Sequence, residues 1–195
     1  MDSQEVGPEE KAAQILYLAG VRLLSEGDGR KALQRLEKAS EIYTKKGSKT
    51  DVAKCYKQMG NVYAFHEEWE KAETCYKKAI ELEKEAKNWS SFIENLFLMS
   101  NLMMDKNELE KAIKYAQEAE KISKKAKDEK SQFQAYKQMG LIYERKGDLE
   151  KAKESFQKAT KIAEKLKLPE TETGIIAQEI LWILQKEKEN KNKKQ

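Results

Sequence analysis

The sequence is poor in residues that break a helix or hold a fold covalently. Nine glycines and two prolines in 195 residues leave long stretches without a breaker, and aromatic residues, at 8%, are too sparse for a sheet protein. Two cysteines, Cys55 and Cys75, do not make a disulfide scaffold and are expected to be buried thiols. No apolar run approaches the roughly 20 residues that span a bilayer. The acidic opening MDSQEVGPEE lacks the basic and apolar regions of an export signal, so the expected compartment is cytoplasmic and no membrane partner is expected. The single histidine, His66, lies beside Glu67 and Glu68, but side chains of adjacent residues diverge and do not make a metal site. No cysteine pair has metal-ligand spacing and no glycine-rich phosphate loop occurs. The expectation is a protein that is not an enzyme and holds no metal or cofactor.

Charge is what the chain has most of. Charged residues make up 37%, mostly Lys and Glu, for a net charge of +4. Residues 1–10 carry four acids and no base, and residues 186–195 carry five lysines against two glutamates. Between these ends the acids alternate with lysines at i, i+4 spacing, as on solvated helix faces. Such a mixed surface does not make a polyanion-binding field, which disfavours nucleic acid as a partner. Residues 1–7 and the Lys-rich tail 189–195 read as disordered ends.

The five residues YKQMG occur at Tyr56 to Gly60 and again at Tyr136 to Gly140, two steps of a 40-residue period. Shifting the chain by 40 aligns Gly20, Gly60, Ser100 and Gly140, then Ala32, Ala72, Ala112 and Ala152, then Ala39, Ala79, Ala119 and Ala159. Within a period the apolar spacing is helical. Tyr56, Met59, Gly60 and Tyr63 share one stripe, and Ala72, Tyr76, Ala79 and Leu82 share another, so each period is a helical hairpin. The small columns mark where two helix axes approach to about 8–9 Å. Between the helices, Gly27, Glu67, Asn107 and Gly147 occupy the turn column. Gly and Asn suit a left-handed helix end, and Glu67 predicts a less regular turn.

These residues resemble the tetratricopeptide repeat (TPR) family, with its W-x2-L-G-x2-Y, A-x3-F pattern. The match is carried by Tyr56, Met59, Gly60, Tyr63, Ala72 and Tyr76 in the second repeat and by Tyr136, Met139, Gly140, Tyr143, Ala152 and Phe156 in the fourth. The repeats here run 40 residues rather than the family's usual 34 or so and lack its closing proline. Longer helices absorb the difference, as in the similar repeats of kinesin light chains and of the Leu-Gly-Asn repeat polarity adaptors. The resemblance implies an all-α, right-handed α-solenoid of four hairpins at residues 8–48, 49–88, 89–128 and 129–168, followed by a capping helix over 169–188. In that cap Ile176, Ile180 and Ile183 continue the stripe. The surplus apolar residues Ile175, Leu181, Trp182 and Leu184 are either tucked into the terminal repeat or form a self-association surface, the basis for a homodimer.

The family's usual work is to hold a protein or peptide partner against a concave wall formed by the first helix of each pair. Transferred residue by residue, that wall holds Gln14, Tyr17, Val21 and Leu24, then Lys54, Lys57, Asn61 and Phe65. It continues with Glu94, Phe97, Asn101 and Met104, then Gln134, Lys137, Leu141 and Glu144. Its aromatic and Met surface, amides and lysines imply a segment with apolar anchors and an acidic residue or two. Asn61 and Asn101 sit where related adaptors use Asn to grip a peptide backbone; alternatively they bond a neighbouring helix or water. The carboxylate clamp of co-chaperones is matched by Lys57 and Asn61 but not by Leu98, Gln134 or Gln138.

Overall fold

The computed structural model describes residues 7–192, and side chains as far as residue 186. Nine α-helices occur among them: α1 Pro8–Ser25, α2 Gly29–Lys45, α3 Lys49–Phe65, α4 Trp69–Glu85, α5 Trp89–Asp105, α6 Leu109–Ala126, α7 Glu129–Lys146, α8 Leu149–Leu166 and α9 Glu170–Asn192. The first eight are 17 or 18 residues long. The extra length of each repeat therefore lies in the helices, about 26 Å of rod apiece at 1.5 Å per residue. Segments expected to be disordered fall largely outside the described residues, at 1–6 and 193–195. The backbone of α9, however, runs to Asn192, past residue 188 where the cap was expected to end. No Pro or Gly stands in that stretch to stop the helix.

The connections are built on one plan. Left-handed backbone occurs at Gly27, Gly47, Glu67, Lys87, Asn107, Lys127, Gly147 and Lys167, one position every 20 residues. At each, that residue and the next donate back into the finished helix, as Gly27 N to Leu24 O (3.1 Å) and Asp28 N to Leu23 O (2.9 Å). This is the pair of bonds that satisfies orphan carbonyls at a helix end. Glu67 does not give a less regular turn: at φ 58° it makes the same two bonds, to Ala64 O (3.0 Å) and Tyr63 O (2.9 Å). The two bonds dictate the conformation, and a solvent-exposed Glu side chain accepts the strain of adopting it. The residue after the turn begins the next helix. Asp28, Asp128 and Asp148 do so as side-chain caps, accepting from Lys31 N, Ser131 N and Lys151 N.

The chain divides into two compact units, residues 1–102 and 103–195, and the division falls within α5. In the first unit α1 packs on α2, α2 on α3 and α3 on α4. One cluster joins Ala13, Ala39, Tyr43, Val52 and Cys55, and another joins Leu36, Met59 and Cys75. Burial pushes the Cys55 thiol up to about 12 and the Cys75 thiol up to about 11, so both are held as neutral thiols. In the second unit α6 packs on α7, α7 on α8 and α8 on α9. There Phe133, Phe156 and three buried alanines meet Ile176 and Ile183 of α9. That contact makes α9 a cap on the last hairpin.

The helix crossings show why the small columns are small. A Cβ added at Gly20 would lie 2.8 Å from Leu36 Cγ, at Gly60 2.5 Å from Tyr76 Cε1, and at Gly140 2.4 Å from Phe156 Cε1. Each glycine is the seat of the large side chain on the second helix of its hairpin. Gly174 in α9 has nothing within 4 Å of an added Cβ. Gly-to-Ala substitution in a helix interior ordinarily stabilises by about 0.5–1 kcal/mol. Thermal melts should therefore show Gly174→Ala raising the midpoint, whereas Gly140→Ala lowers it through overpacking of about 1–3 kcal/mol. Phe156→Leu should recover part of that loss when combined with Gly140→Ala. Equal effects of the two alanines would refute the crossing.

Candidate functional site

The wall residues stand on the first helix of each hairpin because the opposite stripe is consumed by the core. On α3, burial of Val52, Cys55, Met59 and Val62 turns Lys54, Lys57 and Asn61 to the side and leaves Phe65 81% exposed at the helix end. On α1, Tyr17, Val21 and Leu24 are half-buried and Gln14 is exposed. On the part of α5 within the first unit, Phe97 is half-buried while Glu94 and Asn101 are exposed.

Polar contacts tie this wall together. Lys57 Nζ donates to both carboxylate oxygens of Glu94, at 2.9 and 3.0 Å, which joins α3 to α5. Lys54 Nζ donates to Asp51 Oδ1 at 2.9 Å, while Asp51 Oδ2 accepts from Ser48 Oγ at 2.6 Å. Both lysines read as attracting an acidic partner thus have an acid of their own chain. Asn61 accepts from the Tyr76 hydroxyl at 2.8 Å through Oδ1, and Nδ2 donates to Gln58 Oε1 at 3.1 Å. Its amide is held by the protein's own hairpin, with one N–H left over.

A cleft of about 340 Å³ opens in the first unit, where Gln14 and Tyr17 of α1 meet Lys54 of α3. Glu10, Tyr43 and Asp51 complete its polar lining. Those last three were not legible as site residues. A signal did exist for Tyr43, which stands four residues after Ala39 and so falls on the buried stripe. The same column places Glu83, Ser123 and Ala163 at 40-residue steps, and all four are buried. Glu83 is 1% exposed, and burial pushes its carboxyl above the usual range against the bond from Asn88 and the attraction of Lys54 and Lys57.

In the second unit the fourth-repeat wall meets α9. Leu141 packs on the cluster containing Phe156, Ile176 and Ile183, and Glu144 is hydrogen-bonded to Glu179 of α9. Lys137 lies with its ammonium 5.6 Å from the centre of the Phe133 ring, and Gln134 and Met104 are half-buried. On α9 itself Ile180 is packed with Ile176 and Ile183, whereas Ile175, Leu181, Trp182 and Leu184 are 51%, 67%, 41% and 43% exposed.

Among the described residues no three of His, Cys, Asp and Glu gather as metal ligands, and no helix is long and apolar enough to cross a membrane. His66 lies against the start of α2, its Nε2 2.6 Å from where a Cβ on Gly29 would stand. That contact gives the histidine a packing role where the turn inside the second hairpin meets the turn inside the first.

The profile of the family described as the MalT-like TPR region matches residues 8–190. No curated protein sequence matches. Among solved structures, aspartyl phosphate phosphatase F from Bacillus subtilis superposes with a TM-score of 0.80 at 17% identity, over 91% of this chain and 45% of that one. RapI in its apo form gives 0.80 at 15% identity, over 91% of this chain and 64% of that one. A putative kinesin light chain of Podosopora anserina, with nearly identical TPR-like repeats, gives 0.75 at 13% identity, over 95% and 91%. This chain therefore spans less than half of the phosphatase and under two thirds of RapI.

The paired carboxyls have a pH signature. Burial, then the Glu179 carboxylate and its hydrogen bond, push Glu144 up from 4.5 to about 7, one proton being shared between the two groups. An unfolded chain loses that proton near the ordinary value while the folded one keeps it to about 7. Stability should consequently fall as pH rises through the window from about 4.5 to about 7, and level off above it. Glu144→Gln should flatten that slope and raise the melting midpoint at pH 8 by about 2–4 °C. An unchanged slope would mean the pair does not share a proton.

Proposed function

The chain belongs to the family of MalT-like TPR regions, and from that membership we propose that it is a non-catalytic adaptor, holding a segment of a partner protein along the wall of its first helices. The observation that carries this reading is the meeting of Gln14, Tyr17 and Lys54, three residues of the expected wall, around one cleft. The bond of Lys57 to Glu94 adds support, because a wall held in place before binding loses less conformational freedom on association. The phosphatase activity in one neighbour's name belongs to that protein, since identities below 20% carry fold alone.

Nucleic acid is the contrasting reading. The pairing of Lys54 with Asp51 and of Lys57 with Glu94 argues against a basic stripe on this wall. Self-association through α9 is favoured by a different observation, the four exposed apolar residues Ile175, Leu181, Trp182 and Leu184.

Affinity capture with wild type and a Phe65→Ser, Phe97→Ala, Asn101→Ala variant tests the adaptor reading, with a thermal melt to check folding. Protein partners should be depleted about tenfold in the variant, and their recovery should change little between 50 and 200 mM salt. Equal recovery by both proteins would refute use of the wall, and a steep loss with salt would favour nucleic acid. Sedimentation of wild type and of Trp182→Glu, Leu184→Glu checks the α9 surface. A wild-type dimer that becomes a monomer in the variant would establish it, and two monomers would exclude it.

A further inference from the structure

The cleft beside Tyr43 has a composition that selects one kind of ligand. Tyr43 is only 6% exposed, yet its side chain lines the cleft, and its hydroxyl makes no hydrogen bond among the described residues. The hydroxyl is not among the buried atoms that lack a partner, so it is the part of this buried side chain that opens on the cleft. Glu10, Gln14 and Tyr17 on the facing helix α1 also make no side-chain hydrogen bond or ion pair among the described residues. The cleft's one cation, Lys54, is taken up by Asp51 at 2.9 Å, and the second Asp51 oxygen is occupied by Ser48. What remains open is a carboxylate, two phenol oxygens and an amide, around a space of about 340 Å³.

This lining is rich in acceptors and carries one uncompensated negative charge. A carboxylate or phosphate entering it would meet Glu10 and find Lys54 already engaged. An ammonium offers three donors from a single point, whereas a guanidinium offers five in a plane and stacks on aromatic rings. Open acceptors on separate side chains, with two tyrosines among them, suit the planar group better. Leu18, 57% exposed at the edge of the cleft, offers an apolar surface for the methylene stem. The ionisation of Tyr43 is consistent with this field: burial first, then Asp51, Cys55, Glu10 and Tyr17, push its hydroxyl up to about 12.

We propose that the cleft formed by Glu10, Gln14, Tyr17 and Tyr43 is a binding site for a guanidinium group, supplied by an arginine side chain of the partner segment. The guanidinium site stands on the cleft alone; only its source in a partner segment rests on the adaptor reading. The arginine lies with its stem on Leu18 and its head toward the Tyr43 hydroxyl and the Glu10 carboxylate. The partner is thereby basic at this point, the opposite of the acidic segment that Lys54 and Lys57 suggest as bare charges.

The test uses the full chain and four probes: N-acetyl-arginine amide, N-acetyl-lysine amide, N-acetyl-norleucine amide and agmatine, followed by NMR of the Tyr17, Tyr43 and Lys54 resonances. The arginine amide and agmatine should give saturable shifts with Kd of about 1–10 mM, the lysine amide should bind at least about threefold more weakly, and norleucine amide should leave the resonances unmoved. Glu10→Gln and Tyr43→Phe should each weaken the arginine amide about three- to tenfold. Neither variant removes a bond of the folded protein, so both should melt as wild type does. Absence of saturable shifts, equal shifts from norleucine amide, or full binding by Glu10→Gln would overturn the site. Binding of agmatine without the capped arginine would overturn the partner segment as source. In affinity capture, Glu10→Gln that keeps every partner lost by the wall variant sinks the arginine contact and leaves the adaptor standing. Probe binding with no partner lost from the wall variant does the reverse.

Discussion

The close approach of two helices inside a hairpin, with a large side chain of one seated on a glycine of the other, is the constraint on which the rest of this protein depends. Leu36 on Gly20, Tyr76 on Gly60 and Phe156 on Gly140 leave no room for even a methyl group. A fixed distance between helix axes makes the hairpin a rigid unit. A rigid hairpin gives its neighbour a fixed face to pack on. In the third register the corresponding columns hold Ser100 and Ala116, each fully buried.

The turns are the second regular feature, and they show how tertiary context overrides residue preference. Sequence spacing identified Gly27, Asn107 and Gly147 as left-handed positions because those residues accept positive φ. Glu67, Lys87, Lys127 and Lys167 adopt the same conformation although their side chains disfavour it. The helices flanking each link are anchored by core packing, and a link of two or three residues between them closes in few ways. The conformational cost falls on the exposed residue. Regular α-helical ends then repeat every 20 residues whatever stands at the turn.

Charge is distributed by the same geometry. Lys and Glu rich helix faces read in sequence as solvated, and many of their pairs are local. Lys57 with Glu94 is different, since it bridges residues 37 apart in the chain and joins two wall helices. The buried column of Tyr43, Glu83, Ser123 and Ala163 is polar in the first three repeats and apolar in the fourth. Two of its polar members, Tyr43 and Glu83, feel the charge of Asp51. The first unit combines a packed core with cleft groups that are open to a ligand, a combination suited to recognising a donor-rich group.

The sequence by itself determined the helical class, the 40-residue period, the crossing glycines and the role of α9 as a cap, because each depends on residue size and spacing along one helix. Its pattern also brought Gln14, Tyr17, Lys54 and Lys57 to one expected wall. Tertiary structure alone decided which of those side chains are already engaged: Lys57 by Glu94, Asn61 by Tyr76, Glu144 by Glu179. It likewise decided that Tyr43 and Glu10 share a cleft. Such pairings join side chains from different helices, and helical periodicity specifies the face a residue occupies but not the partner that face will meet.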